Sequence, residues 1–156
     1  MERPLAGRVI LIIEDEPLVA LNISDAFQDE GAKAITARTL AAALVAVEDP
    51  ALSAAIVDHA LGDGGSSELC ERLKERNVPF VTYSGYANLA GACAEAVHIN
   101  KPATPRVLVT TVRGSLGGRF QTEALSFPRR LSPAAIVDIG TRSVAGKSRS
   151  GRVAQR

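Results

Sequence analysis

The sequence has 156 residues and a mass of 16.3 kDa, which is the size of one ordinary domain. Its hydrophobic content of 46% is that of a globular protein and excludes disorder throughout the chain. Its apolar runs are far too short to cross a bilayer, and the N-terminus lacks the features of a signal peptide. Two cysteines without metal-ligand spacing exclude a zinc module and a disulfide framework. We therefore expect a soluble, reduced, cytoplasmic protein with no membrane association.

Charge is distributed unevenly along the chain. Residues 1–118 contain 10 Lys/Arg and 15 Asp/Glu, whereas residues 119–156 contain 8 Lys/Arg and 2 Asp/Glu. This asymmetry predicts an acidic folded domain over 1–118 and a basic, mostly disordered tail over 119–156. The chain has four Phe, two Tyr and no Trp. Because base stacking needs aromatic side chains, this composition weighs against nucleic-acid binding by the tail.

Five apolar strand patterns alternate with helical patterns. The predicted strands span residues 9–13, 33–37, 54–57, 80–83 and 97–99. The predicted helices span about 17–30, 40–47, 67–76, 89–96 and 105–116. Strict β-α alternation requires a parallel sheet covered by helices on both faces. We predict an α/β fold with a doubly wound, five-stranded parallel sheet. If its strands take the order 2-1-3-4-5, the first and third strands are neighbours.

Polar residues follow four of these strands. Glu14 and Asp15 follow the first strand, Asp58 the third, Ser84 the fourth and Lys101 the fifth. Ligands of open parallel sheets bind beyond the C-terminal ends of the strands, where these side chains are expected to converge. Clustered carboxylates repel one another unless a cation occupies the site or they are protonated, and an open all-oxygen site suits Mg²⁺. A lysine and a hydroxyl beside an Asp nucleophile are suited to phosphoryl transfer.

With these residues the chain resembles a two-component response-regulator receiver domain over roughly residues 7–117. The resemblance implies a flavodoxin-like receiver fold with the strand order 2-1-3-4-5, in which Asp58 is the phosphoacceptor and Mg²⁺ is the cofactor. Its implied metal site comprises Asp15 as a direct ligand, Glu14 as its acidic partner, Asp58, and the backbone carbonyl of Ala60. Ser84 and Lys101 are implied to contact the phosphoryl group, and the peptide bond after Lys101 is expected to be cis.

The chain departs from the family pattern near the fourth and fifth strands. His98 stands where the family usually has an aromatic switch residue, three positions before the lysine. Pro79-Phe80 and Ser84-Gly85-Tyr86 resemble a subgroup of stand-alone receivers of alphaproteobacterial stress signalling, in which Phe-Ala replaces Thr82-Tyr83. Tyr86 is therefore a candidate switch residue. We interpret the two histidines, His59 and His98, as packing or surface residues, and the two cysteines, Cys70 and Cys93, as small buried hydrophobes on helices.

The resemblance implies a signalling protein rather than an enzyme. A sensor histidine kinase or phosphotransfer protein is expected to donate the phosphoryl group to Asp58, and a downstream protein is expected to bind the modified domain. Whether the chain forms a homodimer is left open. The alternatives are a degenerate receiver that acts as a phosphorylation-independent interaction module, and an Mg²⁺-dependent aspartyl phosphatase. Such phosphatases usually place the nucleophile after the first strand, which disfavours the second alternative.

Overall fold

The computed structural model describes residues 3–85 and 88–117. Its elements in chain order are β1 (Val9–Ile13), α1 (Pro17–Asp29), β2 (Lys33–Ala37), α2 (Leu40–Ala46), β3 (Ala54–Asp58), β4 (Ala60–Leu61), β5 (Gly64–Gly65), α3 (Ser67–Glu75), β6 (Phe80–Ser84), α4 (Ala92–Glu95), β7 (Val97–Asn100) and α5 (Pro105–Leu116). The main sheet is parallel and has the order β2-β1-β3-β6-β7. Because β4 and β5 form a separate hairpin, this order is the predicted 2-1-3-4-5, and the fold prediction is confirmed.

Side chains of the central strands alternate between two apolar clusters. Ile10 and Ile12 of β1 pack with residues of α1 and α5, whereas Leu11 and Ile13 pack with residues of α2, α3 and α4. Successive side chains of a strand point to opposite faces, so a strand buried on both faces must be apolar at every position. The continuous apolar sequence of β1 therefore places this strand in the middle of the sheet.

Helix α2 begins where two side chains cap its free N–H groups. The Thr39 hydroxyl accepts a hydrogen bond from the N–H of Ala42 at 3.1 Å, as the sequence predicts. The Asp63 carboxylate, from the turn between β4 and β5, accepts hydrogen bonds from the N–H groups of Leu40 at 2.7 Å and Ala41 at 3.3 Å. The glycine-rich segment after β3 thus forms a hairpin that supports α2.

The fourth helix is shorter than predicted. The sequence favours a helix over about 89–96, whereas α4 includes only Ala92–Glu95. Gly91 has a φ of +59°, a left-handed conformation that ends any helical hydrogen-bonding pattern entering from the preceding residues. The chain therefore becomes helical only after this glycine.

The interpretation of the two cysteines is wrong in one respect. Both side chains are fully buried on helices, as expected, but Cys70 of α3 and Cys93 of α4 form a disulfide bond. The two residues are 23 positions apart in the sequence, and this separation carries no information about their distance. Their proximity arises because α3 and α4 pack side by side on the same face of the sheet.

Several predictions concern residues outside the described ranges. These include the boundary after Gly118, the tail over 119–156 and the role of Tyr86. Among the described residues, no helix has the length and apolar character needed to cross a membrane.

Candidate functional site

The pairing of β1 and β3 brings three acidic residues together. Ile13 lies opposite Val57 in the parallel register. The residues that follow them, Glu14 and Asp58, therefore lie side by side at the C-terminal edge of the sheet. Both of these side chains are almost fully buried. One carboxylate oxygen from each of Glu14, Asp15 and Asp58 lies within 4.8 Å of the other two. The structure therefore gathers the three predicted acids into one acidic group.

Lys101 joins this acidic group from the end of β7. Its backbone N–H donates a hydrogen bond to the carbonyl oxygen of Ser84 at 3.1 Å, and its peptide bond to Pro102 is cis, as the resemblance implies. The ammonium Nζ donates to Glu14 Oε2 and to Asp58 Oδ2, both at 3.0 Å. One cation thus pairs with two buried carboxylates, which offsets part of the cost of removing them from water.

Backbone N–H groups hold the second oxygen of each buried carboxylate. The N–H of Ala60 donates to Asp58 Oδ1 at 3.1 Å, and the N–H of Glu16 donates to Glu14 Oε1 at 3.2 Å. Ala60 is exposed in β4, directly beside the acidic group, where its predicted role is that of a carbonyl ligand. Oxygen is the ligand atom that Mg²⁺ prefers, and Mg²⁺ commonly binds through one or two carboxylates and several waters. The residues present therefore fit this ion.

Burial and neighbouring charges shift two pKa values in the site. Desolvation raises the pKa of Glu14 above its ordinary value of 4.5, and the negative charge of Asp58 adds to the rise although the hydrogen bond from Lys101 opposes it. For Lys101, desolvation lowers the pKa, but the hydrogen bonds to Glu14 and Asp58 outweigh it and the pKa is raised above 10.5. Lys101 therefore stays protonated, yet it does not fully compensate the buried negative charge. A divalent cation would relieve this excess.

Replacing Glu14 with glutamine is expected to stabilise the metal-free protein at neutral pH. The folded chain binds the Glu14 proton more tightly than the unfolded chain does. The contribution of Glu14 to the stability of the wild type therefore falls as the pH rises from 4.5 through the raised pKa, and it stays low above that pKa. Glu14→Gln removes this titration, so its unfolding temperature should exceed that of the wild type at about pH 7.5 and approach it at about pH 5. Thermal unfolding in the presence of a chelator tests this, and identical curves at both pH values contradict it.

Ser84 occupies the same edge of the sheet. It is the last residue of β6 and is fully buried. Tyr83 lies opposite Asp58 in the register of β3 and β6, and Ser84 lies opposite Asn100, the residue before Lys101. All the residues predicted for the site, Glu14, Asp15, Asp58, Ala60, Ser84 and Lys101, therefore follow or end neighbouring strands at one edge.

Tyr83 supports Lys101 in a way that the sequence analysis missed. The ammonium of Lys101 lies 4.9 Å from the centre of the Tyr83 ring, within the range of a cation–π interaction. The Tyr83 hydroxyl accepts a hydrogen bond from the N–H of Ala103 and donates one to the carbonyl oxygen of Ala103, each at 3.3 Å. Tyr83 therefore contacts the ammonium of Lys101 and holds the segment after the cis peptide bond. The available signal in the sequence is an aromatic residue next to Ser84 at the end of a predicted strand.

The two histidines make hydrogen bonds close to the site. Nδ1 of His59 lies 2.6 Å from the Ser66 hydroxyl, which explains why Ser66 precedes α3 without capping it through its side chain. Nδ1 of His98 lies 2.9 Å from the hydroxyl of buried Thr82, and its Nε2 lies 3.1 Å from Asn100 Oδ1. His98 thus bridges β6 and β7, consistent with the packing role expected for it.

Solved structures similar in fold to this chain include receiver domains. A receiver domain protein from Methanospirillum hungatei is 26% identical, with a TM-score of 0.66 over 75% of this chain and 99% of its own length. The chain is similar in structure to response-regulator receiver domains. A receiver protein from Sinorhizobium medicae is 23% identical, with a TM-score of 0.65 over 72% of this chain and 97% of its own. No family model and no curated protein matches the sequence.

A third receiver structure contains a modified site. A response regulator protein from Burkholderia pseudomallei is 20% identical, with a TM-score of 0.61 over 78% of this chain and 75% of its own. That structure contains a phosphorylated aspartic acid, a calcium ion and citrate. The acidic group of Glu14, Asp15 and Asp58 resembles the metal site of receiver domains.

Proposed function

We propose that this chain is a receiver that accepts a phosphoryl group on Asp58 and signals through altered protein–protein interaction. The observation that carries the proposal is that Asp58 lies beside a second buried carboxylate, Glu14, that the ammonium of Lys101 pairs with both, and that Asp15 belongs to the same group. A buried carboxylate that only stabilised a loop would need neither a second buried acid nor a lysine shared between the two. The likeness to receiver domains supports the same function.

The proposed donor is a sensor histidine kinase or a phosphotransfer protein that carries phosphohistidine. A carboxylate oxygen of Asp58 attacks phosphorus, the phosphorus–nitrogen bond breaks, and the donor imidazole leaves with the bonding electron pair. The product is an acyl phosphate on Asp58. Lys101, already 3.0 Å from Asp58 Oδ2, is placed to pair with a phosphoryl oxygen once the carboxylate charge has been used in the new bond. The Ser84 hydroxyl is the proposed second contact to the phosphoryl group.

The proposed cofactor is Mg²⁺, held by Asp15, Asp58 and the carbonyl oxygen of Ala60, with Glu14 as their acidic partner. When bound, the ion would supply positive charge that offsets the repulsion between phosphoryl oxygens and carboxylates. The positive charge of Lys101 offsets part of the same repulsion. Because this lysine pairs with both Glu14 and Asp58, it holds the two side chains in place beside each other.

Two further proposals concern the receiver subgroup of this chain and the residues that pass its signal to a partner protein. Pro79-Phe80 and Ser84-Gly85-Tyr86 support membership of the subgroup associated with alphaproteobacterial stress signalling. His98 binds Thr82 and Asn100, so it is held by two hydrogen bonds in the position of the usual aromatic switch. We therefore propose that the signal to a downstream protein partner passes through Ser84 and Tyr86 rather than through His98. We also propose that the chain has no turnover beyond its own phosphorylation and dephosphorylation.

Reaction with two small donors tests the function. Phosphoramidate contains the same phosphorus–nitrogen bond as phosphohistidine, and with Mg²⁺ it is expected to label the wild type once per chain. A phosphate ester such as p-nitrophenyl phosphate is expected to give no sustained product release. Asp58→Asn is nearly isosteric and serves as the matched control, expected to remain unlabelled. Sustained ester hydrolysis would favour the phosphatase alternative, and an unlabelled wild type would favour the degenerate receiver.

A further inference from the structure

The only two cysteines of the chain meet between helices α3 and α4. Cys70 and Cys93 are joined by a disulfide bond with a Cα–Cα distance of 5.2 Å, and both side chains are fully buried. The chain has no other cysteine that could exchange with either one. A bond between these residues therefore links α4 covalently to α3. Each chain has either this disulfide or two thiols.

Helix α4 depends on α3 for its position. It has four residues, Ala92–Glu95, which is too short for independent stability. Besides the disulfide, the described polar contacts to α3 are a hydrogen bond from the N–H of Ala92 to Glu71 Oε1 at 3.3 Å and the exposed ion pair of Lys74 and Glu95. Exposed ion pairs contribute little to stability. The covalent bond is therefore the strongest of these ties between the two helices.

A short series of contacts leads from the disulfide to the phosphoacceptor. The Sγ atom of Cys93 lies 3.5 Å from both the hydroxyl oxygen and the carbonyl oxygen of Ser66, which is fully buried. The Ser66 hydroxyl lies 2.6 Å from Nδ1 of His59, and His59 directly follows Asp58. Any displacement of Cys93 must therefore be accommodated at Ser66, one hydrogen bond away from the residue next to Asp58.

We propose that Cys70 and Cys93 form a reversible thiol–disulfide site that controls the position of α4 and, through Ser66, the segment that follows Asp58. A dithiol reductant attacks one sulfur atom, passes through a mixed disulfide and leaves as its own disulfide. Two electrons and two protons pass to the chain, so that each cysteine ends as a thiol. A disulfide of the same chemical class reverses the reaction.

Reduction changes both the spacing and the hydrogen bonding at this site. Two thiols cannot approach as closely as two bonded sulfur atoms, so α4 must shift from α3 or repack against it. In the disulfide, Sγ of Cys93 carries no proton and can only accept a hydrogen bond from the Ser66 hydroxyl. In the thiol form, the same atom can donate to the carbonyl oxygen of Ser66. Reduction therefore changes the hydrogen bonding between Cys93 and Ser66, whose hydroxyl also contacts His59.

Access to the buried sulfur atoms requires local opening. Helix α4 is short and begins after Gly91, and its ion pair with α3 is exposed. Elements of this kind open with a smaller free-energy cost than global unfolding. We expect a reductant to reach the disulfide through opening of α4 while the sheet remains folded, so that the rate of reduction reports how often α4 opens.

The redox site stands apart from the proposed function, whereas its effect on Asp58 rests on that function. The test uses the 156-residue chain treated with reduced or oxidised dithiothreitol, beside the double variant Cys70→Ala/Cys93→Ala. Free thiols are counted by alkylation after denaturation and intact-mass measurement. Hydrogen exchange of α4 and the rate of Asp58 labelling by phosphoramidate with Mg²⁺ are measured on each form.

The oxidised wild type is expected to have no free thiol and the reduced form two. Reduction should accelerate amide exchange in α4 by about tenfold or more, and change the labelling rate of Asp58 by about fivefold. The double variant should behave like the reduced wild type under both treatments. Because reduction alone supplies the comparison, the test does not depend on the variant folding.

Two results would overturn the proposal. One is a chain that keeps two free thiols under oxidising conditions, and the other is exchange in α4 that does not respond to reduction. A labelling rate that is equal in both redox states, with altered exchange, would overturn the coupling to Asp58. If exchange responds but neither form is labelled at all, the redox site is supported and the proposed phosphoacceptor function is the part that fails.

Discussion

Replacing Asp15 with alanine is expected to remove most of the Mg²⁺ affinity of this chain. The carboxylate of Asp15 is the member of the acidic group that is free of the lysine contacts shared by Glu14 and Asp58, and it is half-buried at the open side of the site. Mg²⁺ gives up its water reluctantly and needs well-placed carboxylates. The two remaining acids are already paired with Lys101. We therefore expect the affinity to fall by at least about tenfold, or about 1.4 kcal/mol.

The matched control is Glu16→Ala, which removes an exposed carboxylate from the same segment. Among the described residues, Glu16 does not belong to the acidic group. A Mg²⁺ titration followed by the shift in unfolding temperature measures both variants, since a ligand that binds the folded state raises stability with its concentration. An Asp15→Ala titration that overlays the wild type refutes the assignment of this residue as a ligand.

Removing the lysine should destabilise the metal-free fold strongly. Lys101→Ala leaves two buried carboxylates, Glu14 and Asp58, without their shared cation. Because Lys101 is partly exposed, the cost is smaller than for a fully buried pair, and we expect a loss of about 2 kcal/mol at neutral pH. Acidification or Mg²⁺ should restore much of this stability, because protonation or the ion compensates the negative charge. Because a ligand rescues a variant only if it binds the folded variant more tightly than the folded wild type, Mg²⁺ affinity should be retained and raised, whereas the response to phosphorylation should weaken.

Lys74→Ala provides the comparison for this effect. Lys74 also pairs with a carboxylate, that of Glu95, but both side chains are exposed. Its removal is expected to change stability only slightly and without dependence on Mg²⁺. Chemical unfolding of both variants with chelator and with Mg²⁺ measures the difference. If Lys101→Ala and Lys74→Ala lose the same stability, or if Mg²⁺ does not rescue Lys101→Ala, the electrostatic account of the site is incorrect.

The sheet could be predicted because its sequence patterns are local. The apolar run of Val9–Ile13 and the proline at the start of α1 specify a buried strand followed by a helix with little dependence on the rest of the chain. The handedness of β-α units restricts the possible strand orders, and the resemblance to receiver domains selects 2-1-3-4-5 among them. Once that order is known, the register places Glu14 beside Asp58, so the acidic group is predictable as well.

Features that depend on packing between distant residues could not be predicted. The disulfide of Cys70 and Cys93 depends on how α3 and α4 pack, and the capping of α2 by Asp63 depends on a hairpin formed by glycine-rich sequence. Glycine composition indicates a turn but does not distinguish an ordered hairpin from a flexible loop. The contact of Tyr83 with Lys101 depends on where the segment after the cis peptide bond lies.

The central claim is that Asp58 receives the phosphoryl group, and site-resolved mass spectrometry tests it most directly. The chain is labelled with phosphoramidate and Mg²⁺, and the acyl phosphate is then reduced with borohydride, which converts the modified aspartate into a stable alcohol. Peptide sequencing locates the reduced residue. The account predicts one modified residue per chain, at Asp58, and none in Asp58→Asn. A reduced residue at any other position, or a phosphate that persists in Asp58→Asn, contradicts it.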